Sequence, residues 1–466
     1  MNTKALRQKI LDLAIHGKLV PQDPNDEPAS VLLERIRAEK ERLIKEGKIK
    51  RPKKSKTTSD KPHYENVPFE VPSSWVWTNV GEISQSILYG VSKSAKSRGT
   101  YRLLRITDIQ DNTVNWNTVP FTDYEDEKAE AYLLQDGDIL FARTGATVGK
   151  SYLVNSLKEK AIYASYLIRV QTNHYVLPAF VKYFFESGFY WEQVLGNSVG
   201  IGQPNVNGTI LSNLELPIPP IMEQKRIVKE LGKWLSIIDK IEESKGQLQK
   251  NISWAKSKVL DLAIHGKLVQ QDPNDEPATE LLKRINPKAE ITSDNGHYQK
   301  LPKGWTVCCL ENVAKVLDNL RKPINSNERN SRIANKHENE LFPYYGATGQ
   351  VGFIDDYLVD GTFLLLGEDG APFLDKYAIK SYPIKGKCWV NNHAHILEPQ
   401  CDFDYLMYYL NHVDYKDYVN GSTRLKLTQS DMRSIIILLP PLTEQKRISV
   451  KVKYLFRLLD SIACNL

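Results

Sequence analysis

Cysteine is scarce in this chain: five in 466 residues, all beyond residue 300 and with no CxxC pair among them. That spacing gives neither a disulfide framework nor a thiolate metal site, and it suits a reducing compartment. Long apolar runs are missing too. None approaches the roughly 18 residues of a membrane span, and the opening MNTKALRQKI reads as the start of an amphipathic helix rather than a signal peptide. The expected compartment is the cytoplasm, with no membrane partner. An excess of one charge is also lacking. The net charge is +6, and residues 45–61, with eight Lys/Arg and two acidic residues, account for all of it. The rest is neutral, so the chain does not coat nucleic acid through bulk charge; any DNA binding uses local patches and shape. With 41% hydrophobic and 25% charged residues the composition is globular, and at about 150 residues per domain it holds two to four units.

What is present is repetition. Residues 9–36, KILDLAIHGKLVPQDPNDEPASVLLERI, recur at 258–285 with 23 identities in 28 positions, an offset of 249. PPIMEQKRI at 219–227 returns as PPLTEQKRI at 440–448, an offset of 221. Between these blocks Pro72 and Trp75 are echoed by Pro302 and Trp305. Near-identical joints therefore alternate with dissimilar contents.

The joints are helical. Ile227, Leu231, Trp234, Ile238, Ile241, Leu248, Ile252, Ala255, Val259 and Leu262 follow +4/+3 spacing broken only at Lys245, which predicts a coiled-coil seam. The seam recurs at Ile448, Val452, Leu455, Leu459 and Ile462, and its continuation at Leu6, Ile10 and Leu13. By the two offsets Leu466 corresponds to Lys245 and Met1 to Lys250, so only residues 246–249 lack a counterpart. Four helical residues span about 6 Å. The expectation is that the termini meet and that two helical arms pair antiparallel, with the variable regions at opposite ends. Each arm ends at Gly17 or Gly266, followed by the turn-rich DPNDEP and a short helix.

The fold class expected is α+β: two mixed α/β domains separated by two long antiparallel coiled-coil arms, pseudo-two-fold and circularly closed. The boundaries read as a distal helical repeat at 1–46, a basic linker at 47–61, and a first variable domain at 62–218. A central helical repeat follows at 219–286, then a second variable domain at 287–439 and the rest of the distal repeat at 440–466.

Catalytic chemistry is met only in near misses. TGATVGKS at 144–151 resembles a phosphate-binding loop, but Thr144 stands where the first glycine must give the turn. His393 and His395 alternate like strand residues, with no third metal ligand at a recognisable spacing. His16 and His265 adjoin helix-ending glycines and read as capping and packing residues. No cofactor, metal or catalytic residue is expected in this chain, and no methyltransferase or helicase motif is present. Basic and amide side chains sit instead on Gly-rich loops. The first variable region offers Lys93, Lys96, Arg98, Arg102, Arg143, Thr144, Lys150, Gln203 and Asn205. The second offers Arg321, Lys322, Tyr344, Tyr345, Glu368, Asp369, Thr423, Arg424 and Lys426. Arg, Asn and Gln pair with base edges, whereas Lys and Ser/Thr mostly hold phosphates. Each of these alone is weak evidence, and any single one is better explained as a solvated loop charge.

With the duplicated KxLDLAIHGKLVxQDPNDEPA blocks, the PPxxEQKRI joints, DGDILFARTGA, PYYGATG and GEDGA on the page, the chain resembles the specificity subunits of type I restriction–modification systems over essentially its whole length. The resemblance implies two target-recognition domains, each reading half of a split double-stranded DNA sequence. It further implies helices that bind two methyltransferase subunits and set the spacer, and restriction subunits that join the assembly. The DNA-contact candidates rest on loop position, not on the resemblance. The competing reading is a coiled-coil scaffold without base readout, which a gel shift with bipartite DNA separates from it.

Overall fold

A computed structural model describes residues 2–47, 67–143, 148–196, 206–289 and 301–465. Residues 48–61 of the basic linker, together with Thr144, Gln203 and Asn205, lie outside them. The chain divides into two compact units, Met1–Glu243 and Ser244–Leu466, and the division falls inside one continuous helix, Ile221–Ile264.

In the first unit the helix Thr3–Ile15 begins at Asn2, whose side chain accepts from the Ala5 amide. It runs antiparallel to residues 221–243 of the central helix: Arg7 pairs with Asp239, while beyond the helix end Asp26 meets Arg226. The second unit repeats this between residues 244–264 and the helix Leu442–Cys464, through Lys256–Asp460 and Asp275–Arg447. Gly17 and Gly266 end the arms with φ of +66° and +64°. A Cβ there would also lie 2.5 Å from the Pro72 ring or 2.4 Å from the Pro302 ring. Glycine is thus required both for the left-handed turn and for the close approach of the proline, which explains why Pro72 and Pro302 repeat with it.

The buried stripe departs from the heptad reading. Ile227, Leu231, Ile238 and Ile252 are buried, but Trp234 is 41% exposed and Leu235 takes its place in the core. In the second unit Leu260 and Ala263 are buried where Val259 and Leu262 were expected, and Ile462 is exposed. At the N-terminus Ala14 is fully buried and Leu13 only half. The reason is packing: each arm faces its own globular domain as well as another helix, and a broad core face follows the 3.6-residue period rather than a strict 3.5 seam. Leu11, Ala14, Trp75, Phe180, Ile227, Leu231 and Ile238 accordingly belong to one core.

Each variable domain opens and closes on one two-stranded antiparallel ribbon. Val76–Asn79 pairs with Glu215–Ile218, and Thr306–Cys309 pairs with Ile436–Leu439. Within the first domain lie an antiparallel sheet ordered Ser84–Tyr89, Leu167–Thr172, Ile139–Ala142, Ser151–Leu153, and a smaller sheet ordered Phe121–Thr122, Tyr101–Leu104, Ala161–Tyr163. The second domain is built on a six-stranded mixed sheet, ordered Ala314–Val316, Ala394–Pro399, Val359–Gly367, Ser381–Val390, Phe342–Gly346, Gly349–Ile354. Its continuous apolar run FLLLG is covered on both faces: Leu364 and Leu366 enter the main core and Leu365 a separate one. Among the described residues no helix is long and apolar enough to cross a membrane.

The PPxxEQKRI joint has a chemical meaning that repeats atom for atom. The Glu223 carboxylate accepts from Gln22 Nε2 at 2.5 Å and from Trp75 Nε1 at 2.9 Å. Glu444 accepts from Gln271 Nε2 at 3.1 Å and Trp305 Nε1 at 3.0 Å. The neighbouring Gln224 and Gln445 each donate to a proline carbonyl, Pro219 or Pro440, and accept a backbone amide from the variable domain, Leu177 or Asp402. Two unlike domains are therefore clamped to two arms by one set of bonds. Gln22, Gln271, Glu223 and Glu444 carry this clamp, and their repetition in the sequence was its signal.

Candidate nucleic-acid interface

In the second domain four segments distant in sequence converge on a cleft of about 700 Å³. They are the turn after Phe342–Gly346, the GEDGA turn (Asp369, Gly370, Ala371), the NNHAH turn (Asn391, His393) and the NGSTRLK hairpin (Thr423, Arg424, Leu425). Arg424 stands at its mouth with Nε 2.6 Å from an Asp369 oxygen, and His393 Nδ1 lies 3.4 Å from the other. Behind them is a buried ion network. The Arg321 guanidinium bridges Glu368 and Asp318, the latter at 3.0 Å, and also donates to the Ala394 carbonyl. His395 is fully buried, with Nδ1 2.7 Å from Asp318 and Nε2 3.0 Å from the Leu427 carbonyl. Lys426 Nζ is 3.3 Å from Glu368.

This corrects the reading of the two histidines. His393 lies in the turn before the strand Ala394–Pro399, not in it, and only His395 is a strand residue. Two carboxylates, Asp318 and Glu368, stand close enough to His395 to form a three-ligand cluster. Linear spacing hid them because Asp318 opens a short 3-10 turn and Glu368 follows the strand Val359–Gly367, both far from His395 in sequence. Arg321 already places a fixed cation between those carboxylates, so the cluster is satisfied as an ion network.

The remaining candidates of this domain separate by burial. Tyr344 is buried beneath Arg329, whose guanidinium sits 4.9 Å from the ring centroid, so it is a core residue rather than a base-facing one. Tyr345 is half-buried, and Lys322 is exposed with its carbonyl accepting from Trp389 Nε1. The helix Ser326–Ile333 adds Arg329 and Arg332, the latter over the Trp389 ring at 5.1 Å.

In the first domain Arg143 and Gly208, described residues at the edges of two Gly-rich loops, meet at Tyr89. The Arg143 guanidinium lies 5.1 Å from its ring centroid, its hydroxyl accepts from the Gly208 amide at 2.8 Å, and the Arg143 amide donates to the carbonyl of exposed Tyr166. Arg143 Nε is buried without a hydrogen-bond partner among the described residues. Lys93, Lys96, Arg98 and Lys150 are exposed; Lys93 approaches the Tyr124 ring and Lys96 pairs with Asp123 at 2.8 Å. Arg102 is different. It forms a two-point bond with Glu159, donates to the Val119 carbonyl and stacks on Phe121, so it braces the smaller sheet.

Two unlike basic loop surfaces on a twice-built clamp define a recognition protein with two reading heads. Residues 72–250 and 302–464 match the family model described as the type I restriction modification DNA specificity domain, and the chain belongs to that family. The type I restriction enzyme EcoAI specificity subunit of Escherichia coli is 31% identical over 384 residues, 68% of this chain and 63% of that one. The EcoEI specificity subunit, also of Escherichia coli, is 25% identical over 99% of this chain and 90% of its own length. A solved chain from work on assembly and conformational transition of the type I R-M system superposes with a TM-score of 0.58 at 18% identity, covering 85% of this chain and 94% of that one; the fold is shared. The matched stretch thus spans a little under two thirds of the first relative. A specificity subunit is the recognition component of such a system, and the chain's role is accordingly non-catalytic.

Proposed function

We propose that the chain recognises an asymmetric bipartite DNA target, the domain at 62–218 reading one half and that at 287–439 the other. It directs methyltransferase and restriction subunits to that site, in the cytoplasm where the DNA lies. The observation that carries this is the clamp: identical bonds at Glu223 and Glu444 hold loop surfaces that share almost nothing. The loop residues proposed to meet DNA are Lys93, Lys96, Arg98, Arg143 and Lys150 in the first domain, with Thr144, Gln203 and Asn205 on the same loops. In the second they are Lys322, Tyr345, Thr423, Arg424 and Lys426.

The partners are two copies of one methyltransferase. Trp234, Ile237 and Ile241 lie at +3/+4 spacing beside the buried stripe of the first arm, and Leu455, Leu458 and Ile462 stand 221 residues on in the second. Trp234, Ile237, Leu458 and Ile462 are exposed. An apolar flank repeated position for position suits two equivalent docking sites. Exchanging the first variable domain for a relative's should change one half-site only in a map of methylated adenines from a host carrying the full system. A chimera that altered both halves would refute the division of labour.

A further inference from the structure

We propose that Arg424 reads a guanine in the half-site of the second domain, with Asp369 as its positioning residue. This rests on the reading of that domain as a base-contacting one, and it names the contact.

Arg424 is the guanidinium that the cleft presents outward. Its side chain is 60% exposed, against 14% for Arg321, whose donors are taken up by Asp318, Glu368 and the Ala394 carbonyl. The hairpin of Val419–Asn420 and Lys426–Leu427 that carries Arg424 is fixed to the GEDGA turn. The Gly370 amide donates to the Leu425 carbonyl at 3.0 Å and the Leu427 amide to the Glu368 carbonyl at 2.8 Å. Gly370, with φ of +78°, brings that turn so close that a Cβ would stand 3.2 Å from Arg424 Nε. The backbone on both sides of the side chain is therefore set before DNA arrives.

The carboxylate decides what such an arginine recognises. Asp369 is bonded at Nε, which leaves the edge formed by the two terminal nitrogens for a two-point acceptor; Nη2 has His393 Nδ1 at 3.5 Å beside it. The ion pair carries no net charge, and a phosphate approaching it meets the Asp369 carboxylate as well. Attraction to the backbone of DNA is weakened while hydrogen-bond geometry is kept. Guanine O6 and N7 form a neutral pair of acceptors matching that edge. The small residues Gly346, Ala347 and Ala371 leave the cleft open beside it.

The test uses the complete methylating complex, with Arg424→Lys, Arg424→Ala and Asp369→Asn. Methylation sites are mapped in the host, and binding is measured across salt on cognate DNA and on every single-base-pair substitution of the second half-site. The expected result is a G·C pair in that half-site at which Arg424→Lys loses about tenfold or more of its discrimination, other positions holding. Its salt dependence should be unchanged, because the charge remains. Asp369→Asn should lose discrimination at the same base pair and less severely, an effect that loosened folding would not confine to one position. A uniform loss across all sequences, with the salt slope falling by about one in Arg424→Ala, would mean a phosphate contact and overturn the proposal. Unchanged discrimination everywhere, or a half-site without a G·C pair, also overturns it. If the wild-type complex failed to distinguish its mapped target from scrambled DNA, base readout itself would fall.

Discussion

Arg321 and Arg424 look alike in the sequence, each a basic residue on a polar loop. Folding makes one a buried bridge between two carboxylates and the other an outward edge at a cleft. Asp318, three residues before Arg321, is a local partner, but Glu368 reaches it from the turn after a distant strand, and nothing in the local sequence announces that second capture. The clamp residues are the opposite case: Glu223 and Glu444 were legible as a repeat, and only their partners Trp75 and Trp305 needed the structure. Replacing Glu444 with Ala strands a buried indole N–H and an amide, which should cost about 1–3 kcal/mol and lower the melting temperature of that unit by several degrees. Glu223→Ala should do the same in the first unit, and an unchanged melt for both would show that the carboxylate is not the lock. The neighbouring pair adds a pH dependence. The hydrogen bond from Arg447 holds the Asp275 carboxyl below its ordinary range, against the opposing effect of burial. The unfolded chain therefore binds more protons as the pH falls, so this stabilisation is complete at neutral pH and lost on acidification. Arg447→Gln should lower the melting temperature at pH 7, and the difference from the wild type should shrink as the pH falls below the ordinary carboxylate range.

At the level of elements, the helical arms followed from periodicity, whereas their facing and the ribbons that bound each variable domain did not. A 3.5-residue count placed Trp234 in the seam; the domain packed against the arm draws in Leu235 instead. The central helix is nonetheless continuous from Ile221 to Ile264, which makes it a candidate ruler between the two reading heads. Inserting four residues after Lys245 lengthens it by about 6 Å. With one base pair per roughly 3.4 Å of duplex, the preferred gap between half-sites should widen by one or two base pairs in a methylation map. A functional insertion with an unchanged gap would mean that the arm does not set the spacing.

For the whole molecule, we propose from the two sequence offsets alone a ring in which the N- and C-terminal helices together rebuild the central one. A linker of about four residues joining Leu466 to Met1, with new ends opened near residue 247, should then give a folded protein. It should keep its bipartite target and both methyltransferase partners, with some loss of stability from the frayed ends. A permutant folded by circular dichroism that methylates another sequence, or binds a single partner, would refute the ring.

The ribbons that open and close each variable domain bear on heredity as much as on folding. Because both ends of a domain leave as neighbouring antiparallel strands beside one clamp, foreign coding sequence spliced between the Pro-x-x-Trp and Pro-Pro-x-x-Glu-Gln segments meets the same two attachment points whatever lies between. The 23 identities in 28 positions that flank these inserts imply closely similar stretches of gene on either side. On the proposed division of labour, recombination within them would exchange the reader of one half-site while leaving the arms and the clamp untouched.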